Sequence, residues 1–99
     1  MTTAWFLPAA FADVEAAFHW YEAHQPGLGR AFVQGVDAAL SRILEFPDAG
    51  PMMHRDARRY LLERFPYCLY YRTEGDGVVV VALMHAAQDP ERGRKRLRD

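Results

Sequence analysis

Histidine, glutamate, cysteine and arginine supply the candidate chemistry in this 99-residue chain. His85 ends an apolar run beside Ala86 and Ala87, where an imidazole can act as a general acid or base. A histidine so placed can also be held by a hydrogen bond across a sheet, and the surrounding residue types favour that structural role. His19 has Glu15 and Glu22 within one helical turn on either side, a spacing that suits a metal ion. No fourth ligand accompanies them, so a solvated helix face is the better reading, and neither metal nor cofactor is expected. Cys68 is the only cysteine; without a flanking Cys-His pattern it reads as a buried strand thiol rather than a nucleophile. Gly27-Leu28-Gly29 opens a helix with no strand before it, which makes it a turn rather than a phosphate loop. Arg58, Arg59 and Arg64 either grip an acidic partner or stand as exposed strand positions, and the residue types leave both open.

Composition narrows the setting. One domain spanning residues 1–99 is long enough to remove roughly 60–65% of the unfolded chain's surface from water. Half the residues are hydrophobic and a quarter charged, the balance of an ordinary globular protein. A lone cysteine excludes an internal disulfide and fits a reducing compartment. The longest apolar run, Val78 to Met84, falls far short of the ~20 residues that cross a bilayer. The N-terminal stretch lacks a basic leader and acids follow at once, so no signal peptide is expected and the cytoplasm is the default location. Charge is split along the chain: residues 1–50 hold two basic residues against six acids, residues 51–99 ten against seven. The basic half suggests an acidic protein segment or nucleic acid as partner, or a solvated surface.

The elements that must position these groups follow from periodicity. Residues 58–85 hold three apolar runs, separated by Phe65-Pro66, which cannot donate to a central ladder, and by Gly75-Asp76-Gly77, which tolerates positive φ. Together they predict a three-stranded antiparallel meander. Residues 2–7 form a short apolar run suited to an edge strand on it. From Ala9 to about His24 the spacing of Phe11, Val14, Phe18 and Tyr21 predicts a helix, with Asp13, Glu15 and Glu22 on its other side. A second helix over about Gly29 to Phe46 presents Phe32, Val36, Leu40 and Ile43, widened by Val33, Ala39 and Leu44. The two form a hairpin whose shared apolar face must cover the meander. Residues 48–56 read as a connecting loop. Asp89-Pro90-Glu91 reads as a helix start for a basic C-terminal helix or tail, weakened at Gly93 by roughly 1 kcal/mol.

With this order of elements, the chain resembles the RelE/ParE superfamily of type II toxin–antitoxin toxins, also called plasmid-stabilisation proteins. The likeness is carried by Trp20-Tyr21-Glu22, by Gly27–Phe32, by Phe46-Pro47, by the FPYCLYY run at Phe65–Tyr71, and by the valine strand leading to His85 and Asp89. It covers essentially the whole chain and lies nearer the ParE branch. It implies an α+β fold: an N-terminal strand, a two-helix hairpin packed on an antiparallel β-meander, and a short C-terminal helix or basic tail.

Two activities are implied by the resemblance. RelE-like members cut mRNA in the ribosomal A site with cationic side chains that stabilise a phosphorane. ParE-like members hold DNA gyrase on cleaved DNA. Alignment with the nucleases puts Cys68 and Gln88 where catalytic arginines are expected, and no tyrosine follows Tyr71. Neither replacement carries a fixed positive charge. The expectation is therefore a gyrase-directed toxin with no catalytic residues, the alternative being a nuclease using Arg64 and His85; a non-toxic binding homologue is a third reading. The implied partners are a small ParD-like antitoxin, which folds on binding, and DNA gyrase, with no membrane. Arg58, Arg59, Arg64 and Arg72 are the expected contacts on the sheet, and Arg92, Arg94, Lys95, Arg96 and Arg98 those on the tail. Both a homodimer and a toxin–antitoxin hetero-oligomer are compatible with this reading.

Overall fold

A proline at residue 8 and left-handed glycines at 27 and 75 divide the chain much as the sequence suggests. The structure, a computed structural model, describes residues 3–87 and 90–98; Gln88 and Asp89, and the side chains of His54, Pro90, Glu91, Arg92 and Arg98, lie outside that description. In chain order the elements are β1 (Ala4–Phe6), α1 (Pro8–His24), α2 (Leu28–Glu45), β2 (Met52–His54), β3 (Ala57–Leu61), β4 (Tyr67–Glu74), β5 (Gly77–His85) and α3 (Pro90–Arg98). The expected α+β architecture is present. The sheet, however, has five strands in the order β1-β5-β4-β3-β2 rather than a bare meander.

Two differences account for the extra strands. β1 pairs with β5 in parallel, Ala4 opposite Val78 and Phe6 opposite Val80, and the connection between them runs through the helical hairpin and then β2, β3 and β4. The segment 48–56, expected to be a loop, contains β2, which pairs irregularly with β3. It turns back at Arg55, whose φ is 53°. Leu62 and Phe65, at the end of the first apolar run, fold into the β3–β4 turn and bury their side chains there.

The hairpin covers one face of the sheet. Between Tyr70 and Tyr71 the β4–β5 register jumps from Ala82 to Val80, leaving Val81 as an unpaired bulge. Val80 and Leu83, three apart, consequently both reach the core beneath Phe32, Val36 and Ile43. Phe32, Tyr21, Phe65 and Tyr67 form an aromatic cluster with centroid separations of 4.9 to 6.2 Å. Each such pair adds about 0.5–1.5 kcal/mol beyond its buried area.

α2 buries Gly29, Phe32, Val36, Ala39 and Ile43, close to its expected stripe. α1 departs from expectation: Ala10 and Ala17 are its buried residues, while Phe11 is 61% exposed. Its acids are not all on the solvent side either. Glu22 accepts hydrogen bonds from the amides of Gly27 (3.0 Å) and Gly29 (3.0 Å), so an acid from one helix caps the next. A side chain at Gly29 would lie 2.8 Å from the Phe18 carbonyl oxygen, so only glycine lets the helices approach this closely.

Candidate partner-binding surface

Side chains alternate across a strand, so register decides which cations share a face. Leu69, Tyr71, Val78 and Val80 meet the helices, which leaves Cys68, Tyr70 and Arg72 of β4 pointing away from them. Arg59 of β3 lies opposite Tyr70, and Arg72 lies opposite Val79, which is itself paired with Trp5 of β1. The face of the sheet away from the hairpin therefore carries Arg59, Tyr70, Arg72 and a 52% exposed Trp5. Arg72 reaches Glu74 at 3.5 Å, a largely solvated pair worth about 0–1 kcal/mol.

Cys68 lies on this same face yet is only 2% exposed. Burial raises its thiol pKa, and the nearby Arg59 guanidinium offsets this in part. A protonated, enclosed thiol is neither a nucleophile nor a phosphate ligand. The expectation of a buried strand thiol holds.

The other sequence-selected residues are dispersed. Arg58 points to the helix side and donates to the carbonyls of Asp48 (3.0 Å) and Gly50 (2.8 Å), with the Asp48 carboxylate at 3.8 Å. It ties the 48–50 loop to the sheet rather than standing exposed. The same loop is anchored by the Tyr71 hydroxyl, which donates to the Pro47 carbonyl at 3.0 Å. A Cβ at Gly50 would meet the Arg59 oxygen at 2.6 Å and the Tyr71 hydroxyl at 2.7 Å.

Arg64 sits over the Phe65 ring at 5.4 Å and borders a cavity of about 340 Å³ between α2 and the end of β3. His85 is exposed and borders a different cavity, of about 300 Å³, with Asp13, Trp20 and Tyr67. Its hydrogen bond does not cross the meander as expected. Nδ1 instead accepts from the Ala87 amide at 3.0 Å, and the ring packs edge-on against Tyr67. Arg64 and His85 thus line separate cavities.

The basic C-terminal segment forms α3, with Gly93 seated near Met84. Arg96 donates to both carboxylate oxygens of Asp13, at 3.2 and 2.7 Å, and Asp13 also accepts from the Leu83 amide at 3.1 Å. Asp13, expected on the solvent side of α1, therefore caps the stretch of β5 that runs beyond its pairing with β1, and holds α3. Nothing local in the sequence signals a pair so far apart along the chain; only the split of charge hinted at it. Lys95 is exposed, Arg94 is engaged elsewhere in the protein, and the side chains of Arg92 and Arg98 lie outside the described residues. Gln88, matched to a nuclease arginine, lies outside them too.

His19 packs edge-on against Phe18, and Glu22 is committed to its cap. Among the described residues no group of three or more His, Cys, Asp or Glu side chains could hold a metal ion. No described helix is long and apolar enough to cross a membrane.

A helical hairpin laid on one face of a mainly antiparallel sheet, with a short C-terminal helix, is the architecture of the RelE/ParE toxin superfamily. Within it the chain belongs to the family described as ParE toxin of type II toxin-antitoxin system, parDE, whose pattern matches residues 6–90. It is 29% identical over 79 residues to Toxin ParE2 of Mycobacterium tuberculosis (strains CDC 1551 / Oshkosh and ATCC 25618 / H37Rv), covering 79% of this chain and 75% of that protein. A chain of the chromosomal ParDE system from P. aeruginosa superposes with a TM-score of 0.75 at 20% identity, over 86% of this chain and 96% of that one. The isolated E. coli RelE toxin matches at 0.65 and 17%, over 99% and 98%. A chain of the toxin–antitoxin complex RelBE2 from Mycobacterium tuberculosis matches at 0.58 and 22%, over 88% and 92%. At these identities the structural likeness speaks for the fold alone.

Proposed function

We propose that this ParE-type toxin acts by binding and poisoning DNA gyrase in the cytoplasm, as a single toxin domain neutralised by a small ParD-like antitoxin. The observation that carries this reading is the enclosed, protonated Cys68, at the position the resemblance matches to a catalytic arginine of the RelE-like nucleases. A second support is the separation of Arg64 and His85 into different cavities, since a shared phosphate requires both on one site. The fold keeps a surface suited to holding macromolecules instead: Arg59, Arg72 and Trp5 on the free sheet face, and exposed Lys95 on α3.

An antitoxin with an acidic, disordered segment fits this surface, because such a segment gains charge pairs as it orders. Purified toxin added to gyrase and plasmid DNA is expected to trap protein-linked, cleaved DNA, and the antitoxin encoded beside it to reverse the effect. Undiminished supercoiling at excess toxin would overturn the gyrase reading. Ribosome-dependent mRNA cuts lost on Arg64→Ala or His85→Ala would replace it with the nuclease.

A further inference from the structure

The cavity between α2 and the end of β3 entered the reading above only because it separates Arg64 from His85. Its floor is apolar, built from Gly35, Ala38 and Ala39 of α2. A Cβ at Gly35 would make ordinary van der Waals contact with the Phe65 ring, at 3.5 Å. Its rim is cationic: Arg42 from α2 and Arg64 from the β3–β4 turn face the same space, with Glu63 as the single acid. Tyr60 and Ser41 add hydroxyl groups. Its volume of about 340 Å³ falls at the lower end of the range of small-ligand sites, about 300–1,000 Å³.

The state of the two arginines is informative. Arg58, Arg72 and Arg96 each pair with a carboxylate. Among the described residues Arg42 and Arg64 have no such partner, although Glu63 borders the same cavity, and Arg64 lies over the Phe65 ring. Two guanidiniums beside one apolar recess, with no acceptor for their donors among the described residues, suit a ligand with an anionic head and an apolar body. The planar fork of arginine matches a carboxylate or phosphate. The net positive rim disfavours a cation, and the apolar floor gives a bare inorganic ion little to contact.

We infer that this cavity is a binding site for a small organic anion, a carboxylate or phosphate monoester, held by Arg42 and Arg64 with its apolar part on the Gly35–Ala39 floor. The inference is independent of whether the chain poisons gyrase, because it concerns binding to the isolated toxin.

The test is amide chemical-shift titration of the toxin with four probes: benzoate, adenosine 5′-monophosphate, inorganic phosphate and benzylamine. Benzoate or the nucleotide is expected to give saturable shifts at Gly35, Ala38, Ala39 and Arg64, with the other two probes weaker. In the Arg42→Ala/Arg64→Ala variant affinity falls about tenfold or more, whereas Arg30→Ala, at an exposed position outside the cavity, leaves it unchanged. Both cavity arginines are exposed, and an otherwise unchanged amide spectrum establishes that the double variant is folded. Arg42→Lys/Arg64→Lys, which keeps the charge and loses the fork, is expected to fall between. No saturable shift with any anion, equal affinity in the double variant, or phosphate binding as tightly as benzoate would each overturn the assignment.

Discussion

The two helices of the hairpin lie side by side yet are held by different physics. α2 is fixed by burial: Phe32, Val36, Ala39 and Ile43 are at most 4% exposed. α1 buries only two alanines completely and leaves Phe11 and Trp20 more than half exposed. Beyond the core packing of Val14 and Tyr21, α1 is positioned by polar contacts: Asp13 takes the Leu83 amide and Arg96, and Glu22 takes the amides of Gly27 and Gly29. Apolar burial is non-directional, whereas a carboxylate facing backbone donors sets position and angle. α2 thus supplies stability to the fold, and α1 supplies registration between the hairpin, β5 and α3.

That contrast can be broken from either side. Phe32→Ala removes the centre of the aromatic cluster and is expected to cost about 3–5 kcal/mol in chemical denaturation; a loss below about 1 kcal/mol would mean the core can collapse around the gap. Asp13→Ala removes the acceptor of the Leu83 amide and one carboxylate from the half-buried Arg96, and is expected to cost about 1–3 kcal/mol. It should also raise hydrogen exchange in α3 and at Leu83 selectively, and unchanged exchange there would show that Asp13 registers nothing.

The third test uses pH. Burial raises the Tyr71 hydroxyl above its ordinary value of 10.0, and its bond to the Pro47 carbonyl needs the proton. Below the unfolded value both states hold that proton, so stability is unaffected there. Above it only the folded state does, and stability falls as pH climbs through the folded pKa. Tyr71→Phe should flatten this alkaline decline, at a cost of about 1 kcal/mol near neutrality. The smallest effect belongs to Phe11→Ala on the outer face of α1, within about 0.5 kcal/mol; a larger loss would return Phe11 to the apolar stripe expected from spacing.

What the sequence made legible follows the same division. The α2 stripe, the β4–β5 hairpin around Gly75 and the buried Cys68 all rest on local periodicity or residue type, and each is present. β2 was not legible because it is three residues long, follows a proline and pairs irregularly. The parallel direction of β1 depends on the crossover above it, which no local pattern encodes. Phe11 and Asp13 were misplaced because one apolar stripe was assumed for a helix held largely by its acids. The arginines were found as residues but not sorted: Arg58 and Arg96 serve the fold, Arg59 and Arg72 share the free face of the sheet, and Arg64 faces a cavity.

The parallel pairing of β1 with β5 also bears on how the chain matures. β1 leaves a ribosome well before its partner residues, Val78 to Val80, which emerge only after both hairpin helices and three other strands. Long-range pairing of this kind closes late. A nascent copy stays without its finished sheet until β5 has emerged, so synthesis itself times the moment at which the completed fold first exists.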